Sequence, residues 1–148
     1  MDTYLDASRN AETLREGWVH TGDVGRLDED GFLFIVDRKR DLIVSGGFNV
    51  FPRQVEDVLS THASVAQAAV IGVPHEKWGE AVLAVIVTRA GVTIGEQELI
   101  DYVKAELGSV CAPKTVVFVD EVPLSATGKV DKKSLREPYW QGQSRQVG

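Results

Sequence analysis

At 148 residues, with 43% hydrophobic and 26% charged side chains, the chain has room for one modest core and a fragment of another, in the composition range of globular proteins. A net charge of −6 argues against a nucleic-acid or anionic-membrane surface, both of which need a dominant basic field. The single cysteine, Cys111, excludes an internal disulfide and a cysteine-cluster metal site and points to packing, while His20, His62 and His75 are too scattered for metal ligation.

The apolar runs, such as residues 81–87, are strand-sized, so no transmembrane helix is expected. Met1-Asp-Thr-Tyr lacks the basic and apolar regions of a signal peptide, which implies a cytoplasmic protein.

Along the chain, residues 10–17 read as the end of something larger. Residues 24–27 and 32–36 flank Asp28-Glu-Asp-Gly31 and predict a β-hairpin. A short strand over 42–44 stops at Gly46-Gly47, which turns the chain toward a helix. Pro52 suits the first turn of that helix, and Val55, Val58 and Leu59 stripe one side of it over residues 52–61.

Residues 65–73 and 81–87 read as core strands joined by a polar loop over 74–80 that carries Trp78. Thr93-Ile-Gly-Glu96 has capping-box spacing and predicts a helix to about Leu107, with Leu99, Ile100, Val103 and Leu107 on its apolar side. A strand over 115–119, a loop over 123–129, a short helix over 131–136 and a polar, flexible tail over 141–148 complete the order. The expected fold class is α+β: a small sheet flanked by helices, preceded by a β-hairpin.

The loop Pro123-Leu-Ser-Ala-Thr-Gly128-Lys129 is the most informative stretch. Pro123 stiffens its entry, Thr127 and Gly128 supply a hydroxyl and bare backbone, and Lys129 can extend its ammonium beyond the tip toward a phosphate or carboxylate. Alone, it reads equally well as a solvated turn lysine. Two other motifs set its context: Thr21-Gly22-Asp23, and Asp37-Arg-Lys-Arg-Asp-Leu-Ile-Val-Ser-Gly-Gly-Phe-Asn-Val-Phe-Pro52.

In this order and spacing the three motifs closely resemble the C-terminal part of the adenylate-forming acyl-CoA synthetases, a superfamily shared with nonribosomal peptide adenylation domains and beetle luciferases. The resemblance runs from about Tyr4 to about Arg136. It implies that residues 1–40 are the tail of a large N-terminal domain, with hairpin and hinge, and that residues 41–140 are a mobile C-terminal domain. The chain then reads as an excised piece of a longer ligase, most like fatty-acid or aryl-acid CoA ligases, and inactive by itself.

Carried over residue by residue, the resemblance implies that Asp23 accepts the ribose hydroxyls of ATP and that Arg38 contacts the nucleotide. Their plainer roles are a turn aspartate and a surface ion pair with Asp37 or Asp41. Arg40 matches the hinge position, where Lys or Asp is usual. Lys129 is the implied catalytic residue, bridging ATP and the carboxylate during acyl-adenylate formation.

Ser45, Gly46, Gly47, Trp78 and Lys114 match the surface that meets CoA in the second half-reaction; a core-capping tryptophan and a simple glycine turn are the alternatives. Val110-Cys111-Ala112 departs from the aromatic-basic pair that many relatives carry. The implied partners are the N-terminal domain, a carboxylic acid, ATP with Mg²⁺ bound mainly by that domain, and CoA, with a lysine acetyltransferase and deacetylase acting on Lys129. Carrier-protein loading, or a nucleotide-binding or interaction module without catalysis, are the other readings. No metal ligands are expected within the chain.

Overall fold

The computed structural model of the chain describes residues 13–143. The first part of the 10–17 segment and the tail beyond residue 143 lie outside the described residues. A two-residue ladder, β1 (Leu14–Arg15) with β2 (Trp18–Val19), leads into the predicted hairpin, β3 (Asp23–Leu27) with β4 (Leu33–Arg38). Asp28 makes the hairpin turn: its carboxylate accepts the N–H groups of Asp30 and Phe32 at 3.1 and 2.9 Å.

The hairpin forms its own sheet and leaves Leu27, Phe32, Leu33, Phe34 and Ile35 exposed. Two strands with open faces are marginal in water. In a dilute monomer, β3 and β4 amides are therefore expected to exchange much faster than those of the main sheet; equal protection would contradict this packing.

After a 3₁₀ turn at Lys39–Asp41 come β5 (Ile43–Ser45), β6 (Phe48–Val50), α1 (Pro52–Ser60), β7 (Val65–His75), β8 (Gly79–Thr88), α2 (Glu96–Leu107), β9 (Thr115–Phe118) and α3 (Lys132–Arg136). A further 3₁₀ turn follows at Glu137–Tyr139. The main sheet has five strands centred on β8. Antiparallel β7 lines one edge of β8; the other edge pairs with β5 at Gly79 and with parallel β9 at residues 83–86.

This central place explains the unbroken apolar run of β8, because both of its faces are covered. Val82, Ala84 and Ile86 join Val55, Leu59, Leu99 and Val103 of α1 and α2 in the larger core. Leu83 and Val85 face the other way and pack with Ala69, Ile71 and Val122, with Val130 and Leu135 alongside. The second core is thus covered by Val122 and Val130, which flank the 123–129 loop, and by Leu135 of α3.

The α+β class is as expected, with differences in detail. Residues 74–80 are no loop: β7 runs on to His75 and β8 starts at Gly79, leaving only Glu76, Lys77 and Trp78 to turn. Gly46-Gly47 does not lead into the helix but closes a β5–β6 hairpin, with φ of 58° and 84°. Positive φ at both turn residues is the type I′ geometry, for which glycine suits both positions.

The Thr93–Glu96 capping box is absent. Ile94 is buried, Gly95 in an extended conformation caps α2, and the Glu96 carboxylate accepts the Val116 N–H of β9 at 2.8 Å instead. Cys111 packs beside the larger core, and burial pushes its thiol pKa up, as fits a packing role.

Candidate functional site

The 123–131 stretch folds as a miniature hairpin. Ser125 N–H donates to Lys129 C=O at 2.7 Å, Gly128 N–H to Ser125 C=O at 2.9 Å, and Asp131 N–H to Pro123 C=O at 2.8 Å. Leu124 and Val130 form the bridge, and Gly128 takes φ 75°. The Ser125 and Thr127 hydroxyls meet at 3.0 Å, and Lys129 N–H reaches the Ser125 hydroxyl at 3.3 Å. These bonds close the turn on itself while the Lys129 side chain stays exposed.

The base of this hairpin is anchored from below. Val122 and Val130 sit on the second core. Asp131 caps α3: its carboxylate accepts the N–H groups of Lys133 and Ser134 and the Ser134 hydroxyl. The Ser134 hydrogen bonds, hydroxyl first, then backbone N–H, hold the Asp131 carboxyl below the ordinary aspartate value.

Ion pairs then tie α3 to the domain. Lys132 Nζ lies 2.7 Å from Glu56 Oε1, and Arg136 Nη1 lies 2.7 Å from Asp41 Oδ1, all four side chains being mostly buried. Glu56 also accepts the Val70 N–H at 2.8 Å. Burial raises its pKa, with Lys132 opposing the shift. The Trp140 indole donates to Gly72 C=O at 2.9 Å.

Between hairpin and domain lies an open groove of about 1510 Å³ lined by Asp23, Arg38, Arg40 and Lys129, with Glu56 and Arg136 among its other walls. Four side chains singled out from three separate motifs therefore border one space. Asp23 and Arg38 are cross-strand partners in the β3–β4 register and form an ion pair at 2.9 Å. The surface pair weighed for Arg38 involved Asp37 or Asp41; in the structure Asp37 instead accepts the Arg38 and Arg53 N–H groups, and Asp41 pairs with Arg136.

The Arg38 side chain is half exposed and Asp23 one-quarter exposed, so a ligand can compete for either. The groove carboxylates are engaged by cations or backbone N–H groups. Among the described residues no three or more His, Cys, Asp or Glu side chains converge to hold a metal ion.

The remaining motif residues gather elsewhere, none of them lining the groove. Gly46 N–H donates to Trp78 C=O at 2.9 Å, and a Cβ added at Gly46 would lie 3.5 Å from Trp78 Cδ1. Lys114 Nζ stands 5.3 Å from the centre of the Trp78 ring while donating to Ser109 C=O at 2.7 Å. Ser45 is buried at 6% exposure, so it offers this surface mainly backbone. Two residues to which the sequence alone assigns no role at this surface complete the cluster: Lys77, with Nζ 5.9 Å from the same ring, and His75, stacked on it at 4.3 Å. Their proximity comes from the tight β7–β8 turn, in which only Glu76, Lys77 and Trp78 separate the two strands.

Known proteins resemble this chain in sequence and fold. Over 145 residues the chain is 52% identical to the medium/long-chain-fatty-acid–CoA ligase FadD8 of Mycobacterium tuberculosis, covering 93% of this chain and 25% of that protein. The fold matches ATP-bound MatB from Rhodopseudomonas palustris with a TM-score of 0.83 at 38% identity, over 92% of this chain and 27% of that one. It matches the o-succinylbenzoate CoA synthetase MenE of Bacillus subtilis, solved with its acyl-adenylate intermediate, with a TM-score of 0.81 at 36% identity, over 98% of this chain and 28% of that one. The chain thus spans about a quarter of the length of these relatives. The family model of the AMP-binding enzyme C-terminal domain matches residues 54–129, and the chain belongs to that family.

Proposed function

We propose that this chain is the catalytic-lysine portion of an ATP-dependent acyl-CoA ligase, which first forms an acyl-adenylate and then an acyl-CoA thioester. The observation that carries the reading is the convergence of Asp23, Arg38, Arg40 and Lys129 on one groove, apart from the Gly46–Trp78–Lys114 cluster. Two separate surfaces suit two half-reactions.

In the first, Asp23 accepts the ribose hydroxyls of ATP and Arg38 its neighbouring oxygens, exchanging their mutual ion pair for ligand contacts. Lys129 orients the carboxylate against the α-phosphorus and offsets the charge that develops as pyrophosphate leaves. Magnesium travels with ATP and is held chiefly by the larger domain. In the second, residues 41–140 turn about Arg40, withdraw Lys129 and present the Gly46-Gly47 turn with Trp78 and Lys114 to CoA. Residues 1–40 stay with the larger domain, which covers the apolar hairpin and selects a fatty or aryl acid. The family assignment supports this division, as do the exposed hairpin side chains.

Acetylation of Lys129 by a lysine acetyltransferase, reversed by a deacetylase, would remove the ammonium charge and silence the first step. The exposed tip makes Lys129 reachable. Among the described residues no helix is long and apolar enough to cross a membrane, and we place the enzyme in the cytoplasm.

The test compares this chain with the full-length enzyme. With ATP and a panel of fatty and aryl acids, pyrophosphate release by the isolated chain is expected to stay at background. The full-length enzyme should release AMP and form the CoA thioester; thioester formation only on a carrier protein would move the acceptor assignment. Turnover by the isolated chain would overturn the division of labour.

A further inference from the structure

We infer that His75 is the positioning residue that holds Trp78 in place for the thiol acceptor, an inference that rests on reading the Gly46–Trp78–Lys114 cluster as the CoA surface. His75 ends β7 and is the register partner of Gly79, which opens β8. Its ring does two things at once. Nδ1 accepts the Lys77 N–H at 3.2 Å and the Trp78 N–H at 3.4 Å, satisfying the turn's donors. The same ring lies nearly flat on the Trp78 indole, with centroids 4.3 Å apart and planes at 16°.

An Nδ1 that accepts carries no proton, so the neutral ring has its N–H on Nε2. The backbone bonds fix where the imidazole sits, and the imidazole fixes the indole. On the other side, the Trp78 carbonyl accepts the Gly46 N–H at 2.9 Å, which ties the indole's own residue to the β5–β6 turn. One ring face is taken by His75, while Lys77 and Lys114 place their cations within 6 Å of the ring centre, at 5.9 and 5.3 Å. An apolar arm ending in phosphates then meets an indole that is already ordered and flanked by cations, and binding costs less conformational entropy.

If His75 only closed the turn, replacing it would lower stability without affecting acceptor binding. The test uses the full-length synthetase with its two half-reactions measured separately. In His75→Ala, KM for CoA is expected to rise about three- to tenfold, the size of one aromatic contact, with ATP–pyrophosphate exchange at the wild-type rate. His75→Asn keeps an acceptor for the turn but no stacked ring, so thermal stability should recover while the KM defect persists. His75→Phe should do the reverse.

Trp78→Ala separates the acceptor surface from the role of His75. If it leaves KM for CoA unchanged, the acceptor surface itself is misassigned and the His75 inference falls with it. If Trp78→Ala raises KM while His75→Ala and His75→Asn do not, the acceptor surface stands and the His75 inference alone is overturned.

Discussion

Lys129→Ala in the full-length enzyme is expected to lower the rate of adenylate formation by about 10²–10³-fold, the loss typical of a charged donor aimed at developing charge. Transfer of the acyl group from supplied acyl-adenylate to CoA should be largely spared. The reason lies in the hairpin that carries the lysine. Its backbone is closed by the Ser125–Lys129 and Asp131–Pro123 hydrogen bonds and seated on the second core by Val122 and Val130. Truncating the exposed side chain leaves that scaffold whole, so the defect should be chemical rather than structural. Lys129→Arg keeps a cation but replaces a compact ammonium by a planar fork, and should recover only part of the rate. Equal loss in both half-reactions would contradict a domain that dedicates Lys129 to one orientation.

Much of the fold was legible because its elements obey simple periods. The β8 run over residues 81–87 is apolar at every position since helices cover one face and Val122, Val130 and Leu135 pack on the other. Val55 and Leu59 of α1 are buried one turn apart, and Pro52 sits at the first turn of its helix. The misreadings have local causes. β6 is three residues long with Phe48 and Asn49 exposed, too short to show alternation. The 74–80 segment is polar, yet its ends continue the ladder as Pro74↔Glu80 and His75↔Gly79. Thr93 has capping-box spacing, but Ile94 is buried in the larger core and Gly95, not Thr93, takes the cap position of α2.

The candidate site was legible as a set of motifs and not as a geometry. Asp23 and Arg38 were each singled out, but their mutual ion pair depends on the β3–β4 register and on the irregularity at Val24/Gly25. Hairpin sequence alone does not set that offset. The side chains that seat the Lys129 hairpin escaped notice entirely. Glu56 and Lys132 are single charges among 22 acids and 16 bases, and nothing in local sequence marks them as partners. They become visible only once α1 and α3 are placed over β7. Their burial, not their spacing, makes them important.

Lys132→Ala is therefore expected to destabilise the domain at neutral pH by about 3 kcal/mol, the low end for removing one partner of a buried pair. For a chain of this size that corresponds to a fall in Tm of roughly 6–12 °C. Glu56 would keep the Val70 N–H but lose its cation. Its pKa is already above the ordinary 4.5, because burial outweighs the attraction of Lys132; removing Lys132 raises it further. A carboxyl whose folded pKa exceeds its unfolded value binds its proton more tightly in the folded state, so it costs stability as pH rises from the unfolded pKa through the folded one. The deficit of Lys132→Ala should accordingly be largest at neutral pH and shrink toward pH 4, where Glu56 is mostly protonated in both states. Glu56→Gln added to Lys132→Ala removes the stranded charge and should recover part of the loss at neutral pH. Thermal unfolding of wild type, Lys132→Ala and the double variant between pH 4 and 8 measures all of this. A deficit independent of pH, with no rescue by Glu56→Gln, would mean that the Lys132 stem rather than its charge secures α3 and the Lys129 hairpin.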